Sequence, residues 1–382
     1  MRVLLSVVGT RGDVQPVIAV AVELRKLGAE VRLAVPPNFV EWATAHALEA
    51  RPVGVEMRPP RPGEPRAPVP SVGDLITDQF DAIHAAADGC DVLLGANAHQ
   101  YAARSIAERH GIPYVSALYA PTSLPTEPTV RAWNERALDR VNENRSRFGL
   151  SPIDDVLRHI VTDRPWLATD PALDPPPSPG GLVVEQTGAW ILTDDAPLEP
   201  ELEAFLGAGE PPVYLGFGSM PAAPDAARTL VEATRATGRR AILSRGWAGL
   251  DVVDDANDCL AVGDVNQQKL FARVAAVVHH GGAGTTHTAA RAGAPQVVVP
   301  MFSDQPYWAS RVRALGVGAS VPIAELSAER LTAALREVTD PSVVERARAF
   351  ASVIGCEGAA HAARRLAELH EVRVSARTGS TR

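Results

Sequence analysis

Residues 274–305, reading VAAVVHHGGAGTTHTAARAGAPQVVVPMFSDQ, constrain the fold more than any other stretch of this chain. The apolar run 274–278 predicts a short buried strand, and residues 285–292 carry helix-forming spacing. Between them Gly281, Gly282 and Gly284 permit a tight turn and close backbone approach to a ligand. A second apolar run, 296–300, predicts the next strand. Strand, glycine turn, helix and strand make a βαβ unit, which demands a parallel sheet covered by helices.

This unit also sets out chemistry. A helix that opens on glycine presents unsatisfied backbone N–H groups and the positive end of its dipole, an arrangement that favours a phosphate. His280 follows the first strand and Asp304-Gln305 the second, so both clusters belong to the carboxyl edge of the sheet, where α/β proteins bind ligands. The plain alternatives are a Gly-rich turn that is only a turn and a histidine that packs or caps.

The rest of the chain repeats the pattern. Residues 2–8 predict a strand, followed by a turn at 9–13, a helix to about residue 27, and a strand at 29–35. Further strands are predicted at 91–95 and 114–118, with a helix at 101–110 between them and a Gly-Ile-Pro breaker at 111–113. In the second half, strands are predicted at 213–217, 241–244, 260–263, 275–279 and 296–299. The Pro- and Arg-rich stretch 56–70 and the segment 119–128 read as loops. So does DPPPSPGG at 174–181, placed as a surface loop within the first domain.

Composition points to a soluble enzyme. A chain of 382 residues accommodates two domains, and a net charge of −8 leaves no electrostatic footprint for nucleic acid. The three cysteines, Cys90, Cys259 and Cys356, are far apart and show no metal-binding spacing, which fits a reducing cytoplasm. No apolar run approaches the length of a membrane span. Cytoplasmic location without stable membrane insertion is therefore expected.

Five segments in order carry a family resemblance: Gly9-Thr10-Arg11-Gly12-Asp13-Val14-Gln15-Pro16, Gly216-Phe217-Gly218-Ser219, Ser244-Arg245-Gly246-Trp247, Val262-Gly263-Asp264-Val265-Asn266-Gln267, and the His280–Thr286 motif closed by Asp304-Gln305. With these the chain resembles the nucleotide-sugar-dependent glycosyltransferases of the GT-B type, and is most similar to the bacterial glycopeptide-antibiotic and sterol glycosyltransferases. The resemblance implies an α/β fold of two Rossmann-like parallel-sheet domains facing across a cleft. Residues 1–192 would form an acceptor-binding domain and 193–356 a donor-binding domain; helix 357–371 would cross back to the first, ahead of a disordered tail at 372–382.

The resemblance also implies roles. Asp13 would act as general base on an acceptor hydroxyl and give inversion, where plant and animal relatives carry histidine; by itself, Asp before a helix is an ordinary N-cap. Thr10, Arg11 and Gly12 would shape the same turn. Ser219, His280, Gly282, Ala283, Gly284 and Thr285 would hold the donor diphosphate without a metal, and Asp304 and Gln305 the donor sugar. Arg245, Gly246, Trp247, Val265 and Gln267 would hold the nucleoside, with Trp247 in question as the stacking residue because Asp264 stands where many plant relatives have tryptophan. Phe80, His99, Tyr119 and Trp133 are weaker candidates for an acceptor wall, each with a plain core or surface reading beside it. The acid pair Asp254-Asp255 reads as a solvated turn rather than a metal motif.

The activity implied is transfer of a glucose or deoxysugar unit from a dTDP- or UDP-sugar to a natural-product aglycone. The donor is a co-substrate, with no separate cofactor, and the chain would be a monomer or weak homodimer. Alternatives are a nucleotide-sugar epimerase of the same fold and a non-catalytic nucleotide-sugar-binding partner. A nicotinamide dehydrogenase is disfavoured, because neither half carries GxGxxG after its first strand.

Overall fold

The computed structural model describes residues 1–59, 70–176, 181–223 and 225–379. The chain divides into two compact units: 1–169, 176–192 and 357–382 in one, 170–175 and 193–356 in the other.

In the first unit the elements run β1 (Arg2–Val7), α1 (Arg11–Lys26), β2 (Glu30–Val35), α2 (Val40–Ala45), β3 (Glu49–Pro52), α3 (Val72–Ala87), β4 (Val92–Ala96), α4 (Ala103–His110), β5 (Tyr114–Leu118), α5 (Glu127–Arg147), α6 (Val156–Val161), β6 (Trp166–Leu167) and β7 (Glu185–Gln186). The strands pair in parallel in the order β3-β2-β1-β4-β5-β6-β7. The order reverses between β1 and β4, whose last residues stand in register, Val7 beside Ala96. Residues 8 and 97 therefore leave the sheet side by side, at the kind of switch point where α/β sheets open a crevice. One face of the sheet is sealed by α3, α4, α5 and α6, whose Ile76, Phe80, Ile83, Ile106, Val141 and Ile160 form one cluster with Leu4 and Leu93.

The second unit runs α7 (Pro200–Gly207), β8 (Val213–Gly216), α8 (Ala226–Arg235), β9 (Ala241–Ser244), β10 (Cys259–Val262), α9 (Gln267–Phe271), β11 (Ala276–His279), α10 (Ala283–Arg291), β12 (Gln296–Val298), α11 (Gln305–Ala314), β13 (Gly318–Ser320), α12 (Ala328–Val338) and α13 (Pro341–Ala351). Its strands are also parallel, in the order β10-β9-β8-β11-β12-β13. Here the reversal lies between β8 and β11, where Gly216 pairs with His279. Val213, Leu215, Val278, Val297 and Val299 pack against α8 and α12 on one face. Tyr214, Val277, Leu270 and Phe271 form the core of the other. Alternate residues of one strand thus serve opposite layers, as the pleat requires.

Several sequence expectations change. Helix α14 (Gly358–Gly379) continues past residue 371 instead of giving way to a disordered tail; no glycine or proline interrupts the sequence between 359 and 378, and residues 380–382 lie outside the described ones. It packs on α1, and its Arg365 pairs with Glu185 beside β7. Residues 170–175 fall within the expected first domain, 1–192, but group with the second unit. The Asp170 amide donates to His287 Nε2 at 3.1 Å, the Asp170 carboxylate receives the Gly355 amide at 2.7 Å, and Arg311 donates to the Leu173 carbonyl at 2.9 Å. Strands β3, β6, β7 and β13 were not foreseen, being two to four residues long and without a clear apolar run. Helix α3 begins at Val72, after a loop reading at 56–70 of which residues 60–69 lie outside the described part.

Candidate active site

At the first switch point, Gly9 ends the strand exit with φ 136°, a conformation open to glycine, and α1 starts with Thr10 as its N-cap. Asp13 is therefore not the N-cap but the third residue of the helix, and its carboxylate folds back on the turn. Oδ2 accepts from the Thr10 amide at 2.8 Å and the Thr10 hydroxyl at 3.3 Å, a back-bond of the capping-box kind. A methyl group on Gly9 would lie 2.2 Å from Asp13 Oδ2, so the carboxylate rests directly on that glycine. Oδ1 accepts from Asn97 Nδ2 at 3.2 Å, and the Tyr119 hydroxyl donates to the Asp13 carbonyl at 2.8 Å. A Cβ on Gly12 would meet the Thr10 hydroxyl at 3.8 Å, an ordinary contact, and the Arg11 guanidinium lies over the Trp42 ring at 5.1 Å.

The weaker acceptor candidates separate. Phe80 is wholly buried in the core against Phe148, with no surface to offer a ligand, because it lies on the apolar stripe of α3. Tyr119 is committed to the Asp13 backbone and meets Trp190 edge-on. His99 and Trp133 do come together, ring centroids 5.3 Å apart, with Tyr101 5.3 Å from Trp133 and an exposed edge on His99. Packing around His99 and the nearby Arg136 charge lower its pKa.

The second switch point has a different chemistry. Helix α10 begins at Ala283 with Gly282 as N-cap, so the amides of Ala283, Gly284 and Thr285 fall in its first turn, where helices lack internal acceptors. The glycines are not equivalent. Gly281 has φ 93° and lies against Val298 and the Gln305 carbonyl, while a Cβ on Gly282 would strike His280 Nε2 at 2.6 Å. Gly284 faces open space. The His280 ring also covers Gly218, whose added Cβ would stand 3.2 Å from Cε1. Its Nδ1 is buried without a hydrogen-bond partner, and desolvation lowers its pKa to about 4, so the ring is neutral near pH 7. Ser219 lies half-buried in the turn after β8.

Beneath the turn is a pair that the sequence reading missed as a site element. The Gly281 amide donates to His279 Nδ1 at 3.1 Å, which makes Nε2 the protonated nitrogen and donor to Gln296 Oε1 at 2.9 Å. Both side chains are fully buried. They brace the glycine turn from below.

The Asp304–Gln305 pair is also held from behind. Asp304 Oδ2 accepts from Trp308 Nε1 at 2.8 Å, and burial raises its pKa. Gln305 spends its Oε1 on the amides of Met301 and Phe302, at 2.8 and 3.2 Å, leaving Nε2 against the Met220 thioether at 3.3 Å, a weak acceptor. Gln305 thus shapes the loop as well as lining it. Of the nucleoside candidates, the Trp247 amide donates to the Gly218 carbonyl at 2.8 Å, and Gly246 packs on the same carbonyl with φ 46°, so the turns after β8 and β9 are joined. The Arg245 guanidinium is engaged by Asp251 and the Ala261 carbonyl. Gln267 donates to the Tyr214 hydroxyl at 3.3 Å, and Val265 is half-buried against the Tyr214 layer. Asp254 is held by Arg235 at 2.7 Å, which lowers its pKa to about 2; it is an ion-pair partner at the end of α8. Among the described residues no group of three or more His, Cys, Asp or Glu could hold a metal ion, and no helix is long and apolar enough to cross a membrane.

Comparison with known proteins gives this geometry a family. Residues 3–125 match the glycosyltransferase family 28 N-terminal domain, and residues 252–361 match the erythromycin biosynthesis protein CIII-like C-terminal domain. The chain is 47% identical to glycosyltransferase GtfE of Amycolatopsis orientalis over 95% of its own length and 96% of the relative's. It is 46% identical to the vancomycin aglycone glucosyltransferase of the same organism, covering 96% and 97%. Its fold matches the crystal structure of the kitacinnamycin glycosyltransferase with a TM-score of 0.75 at 22% identity, over 96% of this chain and 98% of that one. Two parallel-sheet α/β domains, both matched domain models and near-complete identity coverage agree: the chain is a glycosyltransferase of the GT-B fold and belongs to the family that glycosylates glycopeptide antibiotics.

Proposed function

We propose that the chain transfers a hexose, glucose or a deoxysugar, from a dTDP- or UDP-sugar to a hydroxyl of a glycopeptide aglycone, with inversion at the anomeric carbon. The observation that carries this reading is the buried His280 Nδ1, which has no partner, on a ring whose Nε2 edge lies against Gly282, the N-cap of α10, and whose Cε1 lies against Gly218. An orphaned buried nitrogen costs on the order of 1–3 kcal/mol unless a ligand satisfies it. A diphosphate oxygen would do so, and its charge would raise the histidine pKa from its low resting value. The amides of Ala283, Gly284 and Thr285, with the Thr285 and Ser219 hydroxyls, supply further donors as charge builds on the leaving group.

In this reading the acceptor hydroxyl gives its proton to the Asp13 carboxylate as its oxygen bonds to the anomeric carbon. The bond from that carbon to the diphosphate oxygen breaks, and its electron pair leaves with the nucleoside diphosphate. One displacement inverts the centre. Asp304 and the Gln305 Nε2 would take sugar hydroxyls, while Trp247, Val265 and Gln267 would border the nucleoside. The acceptor class rests on similarity to the vancomycin aglycone glucosyltransferase. No metal enters the scheme.

The test is mass spectrometry of vancomycin aglycone incubated with UDP-glucose, dTDP-glucose and a dTDP-deoxyhexose, with and without EDTA. A product one hexose heavier that persists in EDTA supports the reading. Epimerised donor without glycosylated aglycone, or a strict requirement for a divalent ion, contradicts it.

A further inference from the structure

Asn97 follows β4 directly, with φ 64°, a left-handed conformation that asparagine tolerates better than other residues with a side chain. It is buried, 9% exposed. Its carboxamide makes three bonds: Oδ1 accepts from the His99 amide at 2.9 Å, and Nδ2 donates both to the Val8 carbonyl at 2.5 Å and to Asp13 Oδ1 at 3.2 Å. The orientation of the amide is fixed by its neighbours. A flipped amide would set its oxygen against two acceptors and its nitrogen against a donor.

These bonds reach both ends of the turn that carries Asp13. Val8 precedes Gly9, on which the carboxylate lies, and Asp13 closes the turn. Thr10 donates to Oδ2, and Asn97 donates to Oδ1. The contact joins residues 84 positions apart and exists only because β1 and β4 are neighbours at the switch point.

We propose that Asn97 is a positioning residue for the acceptor-activating carboxylate, fixing the rotamer of Asp13 through Nδ2 while its left-handed backbone aims the amide at the turn. This rests on the reading of Asp13 as the base. An oxygen misplaced by about 1 Å costs on the order of 100-fold in rate, so a single neutral amide suffices to matter. As a neutral donor, Asn97 adds no formal charge beside the carboxylate.

The test uses the full chain with vancomycin aglycone and whichever of UDP-glucose or dTDP-glucose is turned over. Asn97→Gly removes the amide and keeps the left-handed backbone that glycine favours. The expected result is a kcat lower by about 10–100-fold with donor KM within about twofold, and no further loss when Asn97→Gly is added to Asp13→Asn. Asn97→Asp puts a second carboxylate beside the first, and like charges at that distance raise a pKa. The acidic limb of the kcat/KM profile should move up by about one pH unit or more. An Asn97→Gly enzyme with at least half of wild-type kcat, while Asp13→Asn is inactive, overturns the positioning role and leaves the base intact. An active Asp13→Asn enzyme overturns both. Should Asn97→Gly melt well below wild type, Asn97→Asp decides, and an unmoved acidic limb counts against the proposal.

Discussion

The two units reverse strand order at the same place in their sheets, yet equip it in opposite ways. Between β1 and β4 stands a carboxylate receiving donors from Thr10 and Asn97. Between β8 and β11 stand donors: the first amides of α10 and a neutral histidine whose Nδ1 has no partner. Topology fixes where a crevice opens, and a few residues at the strand ends fix whether it presents a carboxylate or hydrogen-bond donors. Glycine plays a different part in each. Gly9 makes room for the protein's own carboxylate, whereas a Cβ on Gly284 would meet nothing within 4 Å among the described residues beyond its own helix.

Breaking the second switch point should have the larger effect of the two on donor handling. His280→Ala removes the orphaned nitrogen, and loss of one preorganised donor costs about 10²–10³ in kcat, with weaker nucleoside diphosphate binding by calorimetry. Unchanged binding would separate His280 from the diphosphate. At the first switch point, Gly9→Ala forces a side chain into a left-handed backbone at a cost of about 1–3 kcal/mol and drives a methyl into the Asp13 carboxylate. It should lower both the melting temperature and kcat, while Gly12→Ala, with room around it, should leave kcat near wild type.

Smaller effects sharpen the contrast. Gly284→Ala places a better helix former in open space and should raise stability by about 0.4–1 kcal/mol in thermal melts. If diphosphate occupies that space, the same variant binds dTDP or UDP more weakly; equal binding would argue that the space is unused. Acid should act on the buried histidines. His279 and His280 have folded-state pKa values lowered to about 3 and about 4 by burial, below the unfolded value near 6.5. The unfolded chain therefore binds protons first, so stability is full above about pH 6.5 and falls as pH drops towards those folded values, by about 1.4 kcal/mol per pH unit for each histidine. Urea titrations at pH 7 and pH 5 measure the slope, and His279→Gln should flatten it.

The second switch point was the more legible in sequence, because His280, the glycines and Asp304-Gln305 lie within one βαβ unit whose periodicity announces it. Even there the sequence hid the His279–Gln296 brace, since a histidine inside an apolar strand carries no signal of what it bonds. At the first, Asp13 stood out by its frame, but Asn97 did not: one polar residue after a strand is ordinary, and its meaning depends on β4 lying beside β1. Phe80 stood between a wall reading and a core reading for the converse reason. An aromatic residue on an amphipathic helix reads the same whether it faces a ligand or a core, and here it faces the core. The continuation of α14 to Gly379 was missed because polarity was read as disorder, although residues such as Arg373 and Arg377 are good helix formers.

The division of labour between the two switch points is tested most directly by Asp13→Asn, measured for turnover of vancomycin aglycone and, by calorimetry, for binding of dTDP and UDP. The substitution keeps the side chain's shape and removes the base. The account predicts kcat lower by about 10²–10⁴-fold with nucleotide affinity within about twofold of wild type. Turnover near the wild-type rate would contradict it.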